Sequence, residues 1–417
     1  MGSNEIMPFA FVEANKDKTK NIIKVIGVGG GGSNAVKNMY QKGVHNVQFA
    51  VCNTDSQALA KTDVPVKIQL GEAGLGVGGK PEKGKEAAEH SMDAIRTLFE
   101  DETQMVFVTC GMGGGTGTGA GPVIAKVAKE KGILTVGVVT VPFMFEGKVR
   151  MGKALLGVEE MRKNVDALLV INNQRLFDIY ADGMTTVEQA FAKTDEIVTV
   201  AAKSISEIIT MEGIVNRDFC DVQTVLKEGG NAIMSVGLAC GENRIEKAFV
   251  DALKSPLLNN VVIEKARRML YIIYSSDEHQ VTISELSEIN MFMDDLAEDI
   301  EVLWGLYRDN SLGEEVKVTL IATDFEDENV SDSSKSEKNE LLQKEALIQS
   351  YYGDISKKQK KAEEIMEEPL VTIEMPTPVE VTESEQVVEP EESQSKANVT
   401  FLNRFMKKLG EFVDGVE

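Results

Sequence analysis

Six short runs of β-branched and aliphatic residues, at 22–28, 47–51, 66–70, 105–109, 133–141 and 167–171, alternate with stretches of helical spacing at 33–41, 83–99 and 122–131. Several of the runs are apolar throughout instead of alternating with polar residues. A strand exposed on one face alternates, whereas one covered by helices on both faces does not. The pattern predicts a doubly wound, parallel α/β sheet whose ligands bind beyond the carboxyl ends of the strands.

Farther along, Val187, Phe191, Ile197, Val198, Ala201, Ile205 and Ile208 recur at helical spacing over 185–210. This predicts a helix long enough to join two lobes. The second lobe carries apolar runs at 269–274 and 316–322 around a helical pattern at 284–296, the outline of a smaller α/β domain with a mixed sheet. At residue 324 the composition changes: 324–398 holds 20 acidic and 8 basic residues, so about half of the formal charge of −23 falls there. Such a segment buries too little apolar surface to offset chain entropy and is expected to be a disordered, charge-extended linker. Beyond it, Phe401, Leu402, Phe405, Met406, Leu409, Phe412, Val413 and Val416 face away from Asn403, Arg404, Lys407 and Lys408. They predict an amphipathic helix within 399–417, which folds back on the second lobe, docks a partner or lies on a membrane surface.

The acidic balance argues against direct nucleic-acid binding, which needs a cationic surface. No apolar run approaches the roughly 18 residues of a spanning helix, and residues 1–20 lack the regions of a signal peptide, so a cytoplasmic protein is expected. Cys52, Cys110, Cys220 and Cys240 form no CxxC pair and have three histidines to join them. That excludes a zinc framework, and all four are read as structural thiols of a reducing compartment.

The first strand runs into Gly29, Gly30, Gly31, Gly32, Ser33 and Asn34 and then a helix. Glycine lets a backbone approach a phosphate, and a helix start offers unpaired N–H groups. Alone, this loop could equally open a nicotinamide-binding unit, with Asp55 near the place of a ribose-binding carboxylate. A second loop, Gly113, Gly114, Gly115, Thr116, Gly117, Thr118 and Gly119, again between strand and helix, changes the odds. A dinucleotide pyrophosphate needs one cradle, whereas a triphosphate clamped from two sides can use both, with the Thr116 and Thr118 hydroxyls as added donors. So much glycine at a helix start costs stability unless the backbone must approach something. A third stretch, 74–81, nearly spells a P-loop but has Pro81 where the magnesium-binding hydroxyl belongs, which disfavours a Walker-type fold.

The GGGTGTG run is the signature of the tubulin superfamily, and from about residue 22 to 323 the chain closely resembles the FtsZ family of bacterial tubulin-like cell-division GTPases. The resemblance implies a Rossmann-like parallel-sheet GTPase domain at 21–184 after an extension at 1–20, and a connecting helix at 185–210. It implies a smaller α/β domain with a mixed sheet at 211–323, the linker at 324–398 and a terminal peptide at 399–417. It further implies GTP or GDP as ligand, with Mg2+ held mainly by phosphates and water. By the same resemblance Gly29 to Asn34 hold the α- and β-phosphates and Gly113 to Gly119 wrap them from the other side. Asn53 and Asp55 belong to a second nucleotide loop, and Gly78 and Gly79 to the loop that senses the γ-phosphate. Glu146 and Arg150 contact sugar or phosphates, while Asn173, Phe191 and Asp195 read guanine, whose N1–H and amine suit a carboxylate where adenine offers an acceptor.

Asn216, Asp218 and Asp221 match the spacing of the family's catalytic loop, although an Asn and two Asp at a helix start are also ordinary capping residues. The resemblance implies that this loop acts on the nucleotide of the next subunit in a head-to-tail homopolymer, making turnover depend on polymerisation. Arg217 replaces the family's usual apolar residue there. The implied partners are the chain itself and, through 399–417, a membrane-tethering adaptor and other division proteins, with the membrane reached indirectly at the division site. The terminal peptide keeps Phe401 and Leu402 but lacks the family's proline. Two rival readings are a nicotinamide oxidoreductase, which leaves GGGTGTG without a role, and a nucleotide-binding regulator without turnover, against which the intact Asp218 and Asp221 argue.

Overall fold

The computed structural model describes residues 21–44, 46–175, 186–210, 213–215, 218–253, 265–294 and 300–325. The expected N-terminal extension, nearly all of the acidic linker, the terminal amphipathic helix, Asn216 and Arg217 lie outside the described residues.

Each apolar run forms a strand: β1 (Ile23–Val28), β2 (Val47–Asn53), β3 (Val66–Gln69), β4 (Met105–Gly111), β5 (Leu134–Val141) and β6 (Ala167–Asn172). All neighbours among these six pair in parallel. Their order is β3-β2-β1-β4-β5-β6, so the winding reverses between β1 and β4. The crevice of a doubly wound sheet opens at that reversal. β1 is buried along its whole length, including Lys24, which pairs with Asp101, whereas β3 is largely exposed because it is the edge strand.

Helix α1 (Gly29–Gln41) and the short α2 (Ser56–Ala60) cover one face of this sheet. On the other lie α3 (Pro81–His90), α4 (Met92–Thr97), α5 (Thr116–Glu130) and α6 (Lys148–Lys163). The single helix expected at 83–99 is broken at Ser91, whose Oγ accepts the Gly71 N–H at 2.9 Å while the chain turns and restarts at Met92. Helices α3 and α5 cross where neither carries a side chain. A Cβ on Gly119 would lie 2.0 Å from Pro81 O, and one on Gly84 would lie 2.4 Å from Gly115 O.

The 24-residue α7 (Val187–Thr210) leads to β7 (Gly213–Val215) and α8 (Phe219–Leu226). There follow β8 (Gly230–Ala239), α9 (Arg244–Leu253), β9 (Ala266–Ser275), α10 (Ile283–Asp294), β10 (Glu301–Arg308) and β11 (Val316–Phe325). β11 pairs antiparallel with both β8 and β9, and β10 pairs parallel with β9, which is the expected mixed sheet. A short parallel ladder, Ala167↔Gly230 to Leu169↔Ala232, joins the two halves into one eleven-stranded sheet. One hydrophobic cluster unites Val198, Ala201, Ile205 and Ile208 of α7 with Val136 and Leu169 of the first half and Leu270 and Ile321 of the second. Burying each of these α7 side chains stabilises the joint by about 1–3 kcal/mol. No described helix is long and apolar enough to cross a membrane.

Candidate functional site

β1 and β4 are neighbours in register, Val28 opposite Cys110, so the loops that leave them emerge side by side at the reversal of the sheet. Their backbones touch. A Cβ on Gly29, which has φ +73°, would lie 2.8 Å from Gly117 N; one on Gly32 would lie 2.2 Å from Thr109 O; and one on Gly117 would lie 2.6 Å from Gly111 O. Only glycine permits this approach, so much of the glycine holds two helix starts against each other. Gly30 and Gly114 meet nothing within 4 Å and leave the cradle open. Neither α1 nor α5 has a side-chain cap, so the first N–H groups of both are left for a ligand. Ser33 Oγ, buried in the floor, has no hydrogen-bond partner.

The two threonines of the second loop differ. Thr116 Oγ1 lies 2.7 Å from Thr54 Oγ1 across the mouth of the cradle, whereas Thr118 is buried and its Oγ1 accepts the Gly113 N–H at 2.9 Å. Thr118 thus closes the loop on itself. Asn53 is buried, and its Oδ1 accepts the Asp55 N–H; Asp55 in turn caps α2, accepting from Gln57 N and Ala58 N at 2.9 and 3.2 Å. The 71–79 stretch folds beside them, with Gly76 N donating to Thr54 O at 3.0 Å. Gly78 and Gly79 take φ of +57° and +69° and have open space where side chains would be. Successive amides in such a conformation form an anion-binding concavity.

On the other flank the 142–150 loop is locked by its own residues. Glu146 accepts the Phe143 N–H through Oε1 at 2.9 Å and pairs with Arg150 at 3.0 Å. Gln174, which follows Asn173, accepts the Met144 N–H at 3.0 Å and ties this loop to the end of β6. The buried Phe143 ring lies 5.0 Å from Phe145 and 5.0 Å from Phe191, so the first turns of α7 reach the same rim. Phe191 is 43% exposed, although its place on the apolar rhythm would also suit a core residue. Asp195 is one turn further along, on the same face. Burial pushes its carboxyl up to about 6. Asn173 is buried with no partner for Oδ1, an amide awaiting a hydrogen bond. Gln174 and Phe143 were not among the sequence candidates; adjacency to Asn173 is the only sequence signal for the first.

The acidic loop is elsewhere. Asp218 and Asp221 form a reciprocal cap at the start of α8: Asp221 N donates to Asp218 Oδ1 at 3.0 Å, and Asp218 N to Asp221 Oδ2 at 3.2 Å. The ordinary capping reading is therefore realised in the structure. A helix of 24 residues spans about 36 Å, and these residues follow its far end while Phe191 sits at the near one. The strand after α8 starts at the amino ends of the parallel strands, Gly230 N donating to Asp166 O at 3.0 Å, opposite the phosphate loops. The cysteine expectation needs correction: Cys52 and Cys110 are buried, but Cys220 and Cys240 are exposed.

Among the described residues no group of three or more His, Cys, Asp or Glu is placed to hold a metal. The cradle consists of amides and hydroxyls, a donor set that suits a phosphate chain.

Residues 22–181 match the model of the Tubulin/FtsZ family GTPase domain, and 230–326 that of the FtsZ family C-terminal domain. The cell division protein FtsZ of Porphyromonas gingivalis is 54% identical over 309 residues, which cover 73% of this chain and 67% of that protein. An empty FtsZ dimer from M. jannaschii is 36% identical with a TM-score of 0.67, covering 75% of this chain and 95% of its own. CetZ from Methanosaeta thermophila, at 19% identity and a TM-score of 0.61 over 83% of this chain and 96% of its own, shares the fold. Two facing glycine loops at the turn of a parallel sheet, with a long helix leading from their rim into a second mixed-sheet half, are thus a family plan, and the chain belongs to the FtsZ family of tubulin-like GTPases.

Proposed function

We propose that this GTPase completes its hydrolytic site between subunits. Family membership makes the chain a filament-forming cell-division GTPase. One observation supports the division of labour: Phe191, at the rim of the cradle, and the end of α7 that precedes the Asp218–Asp221 cap are separated by roughly 28 Å of helix, so the two regions do not meet along α7 within one chain.

In this reading Gly29 to Asn34 and Gly113 to Gly119 hold the phosphates through backbone N–H groups, with Asn53, Asp55, Gly78 and Gly79 along the rim. Glu146 and Arg150 border the ribose. Asn173 and ionised Asp195 hydrogen-bond guanine beside the Phe191 ring. Mg2+, carried on the triphosphate, offsets phosphate charge when bound. Asn216, Asp218 and Asp221 of the adjoining subunit orient the attacking water, and a carboxylate there takes its proton as the γ-phosphoryl group leaves. Capping and catalysis are compatible, because the cap fixes both carboxylates at an exposed helix start. A head-to-tail contact of this kind does not close on itself and generates a filament.

The 399–417 segment is proposed to dock a membrane-tethering adaptor and other division proteins, placing a cytoplasmic filament at the division site. Phosphate release across a range of protein concentrations, with ATP as control, tests the enzymatic reading. The expected result is GTP-specific turnover per subunit that rises above a threshold concentration. Turnover per subunit independent of concentration would overturn the shared site.

A further inference from the structure

Lys153 is half-buried in the second turn of α6 and serves none of the roles above. Its Nζ donates to Gly79 O at 2.8 Å across 74 residues of sequence. Gly79 belongs to the glycine stretch that borders the second phosphate loop: a Cβ on Gly115 would lie 2.5 Å from Val77 Cγ2 and 3.3 Å from Gly79 Cα. The start of that stretch is fixed by the backbone, Ser56 N donating to Gly74 O and Gly76 N to Thr54 O, each at 3.0 Å. Its end closes in a tight turn, Lys80 N donating to Val77 O at 3.3 Å. Gly78 and Gly79, the central residues of that turn, have φ of +57° and +69° and nothing within 4 Å of a notional Cβ, so their outer side is open. Glycine has the widest choice of backbone conformations of any residue, so a second contact on the same turn holds it more firmly in one orientation. Lys153 supplies that second contact through the Gly79 carbonyl.

We propose that Lys153 is a positioning residue for the terminal phosphate. Its ammonium engages the Gly79 carbonyl, keeps that partial negative charge occupied, and presents the neighbouring amides to the ligand. It also brings a full positive charge to the rim, where a triphosphate carries more negative charge than a diphosphate. Lys153 therefore favours GTP over GDP. This rests on the reading of the paired glycine loops as the nucleotide cradle.

The test compares the wild type with Lys153→Met, Lys153→Arg and, as a charge control at the far end of the same helix, Lys163→Met. Binding of GDP and of a non-hydrolysable GTP analogue is measured at two salt concentrations, together with KM and kcat for GTP. The expected result for Lys153→Met is analogue binding roughly three- to fivefold weaker, the range of a partly exposed charge contact, with GDP binding nearly unchanged. KM should rise more than kcat falls, Lys153→Arg should restore the analogue-to-GDP ratio, and Lys163→Met should behave as wild type. An unchanged ratio in Lys153→Met, or equal weakening of both ligands, would overturn the proposal. A wild type that binds neither guanine nucleotide would instead overturn the cradle reading beneath it.

Discussion

Asp195 is a residue whose chemistry is set by its surroundings. Burial on the inner side of α7 disfavours its charge and raises the carboxyl to about 6. A guanine edge offers two donors, which only the ionised form can accept together, so binding near pH 6 must release a proton. Guanine nucleotide affinity is expected to be constant above about pH 7 and to weaken about tenfold per pH unit well below 6. Titration calorimetry in buffers of different ionisation enthalpy measures both the affinity and the proton. Affinity flat from pH 7 to 5 would contradict the assignment. For stability the sign is opposite: the folded pKa lies above the ordinary 3.8, so this group's contribution is present below the unfolded pKa and lost as pH rises through about 6. Asp195→Asn should accordingly leave the empty protein no less stable at neutral pH while weakening guanine binding.

At the scale of elements, the helix α8 starts at a reciprocal Asp218–Asp221 cap whose carboxylates are also the proposed catalytic pair. Replacing Asp218 with Ala removes both the carboxylate and the cap, which costs about 1 kcal/mol of stability. Asp218→Ser keeps a good capping side chain. The expected outcome is a thermal midpoint near wild type for Ser and a lower one for Ala, with turnover reduced in both. Turnover retained in the Ser variant would reduce Asp218 to a structural residue. Five of the six parallel strands were legible in the sequence because each is a mainly apolar run buried on both faces, the exposed edge strand β3 because Val66 and Ile68 are β-branched, and the phosphate loops because so much glycine at a helix start demands a close backbone approach. β8 and β10 were not. In β8 the apolar run is interrupted by Ser235 and by Gly237, where a Cβ would lie 2.0 Å from Ala248 O of α9, so the break reflects close helix packing that no local pattern reveals. In β10 the ends are charged and Gly305 sits where a Cβ would meet Ile272, 2.8 Å away. The break at Ser91 was equally hidden, since its partner Gly71 is distant in sequence.

On the scale of the whole molecule, α7 runs from the rim where Phe191 meets Phe143 toward the Asp218–Asp221 cap, and one core surrounds it in both halves of the sheet. The family resemblance could nominate Phe191 and Asp195 and the acidic loop, but local spacing could not show that the two groups lie toward opposite ends of the longest described helix. That separation is the basis of the central claim, and complementation addresses it. Asp221→Asn subunits keep the cradle and lose a proposed catalytic carboxylate; Asp195→Ala subunits lose guanine binding and keep the carboxylate. Each alone should release little phosphate from GTP. The decisive measurement is turnover in their equimolar mixture, where random head-to-tail contacts should make roughly a quarter of the interfaces complete. Recovered turnover near that fraction is the result expected of a site shared between subunits; a mixture as inactive as its two components would contradict it.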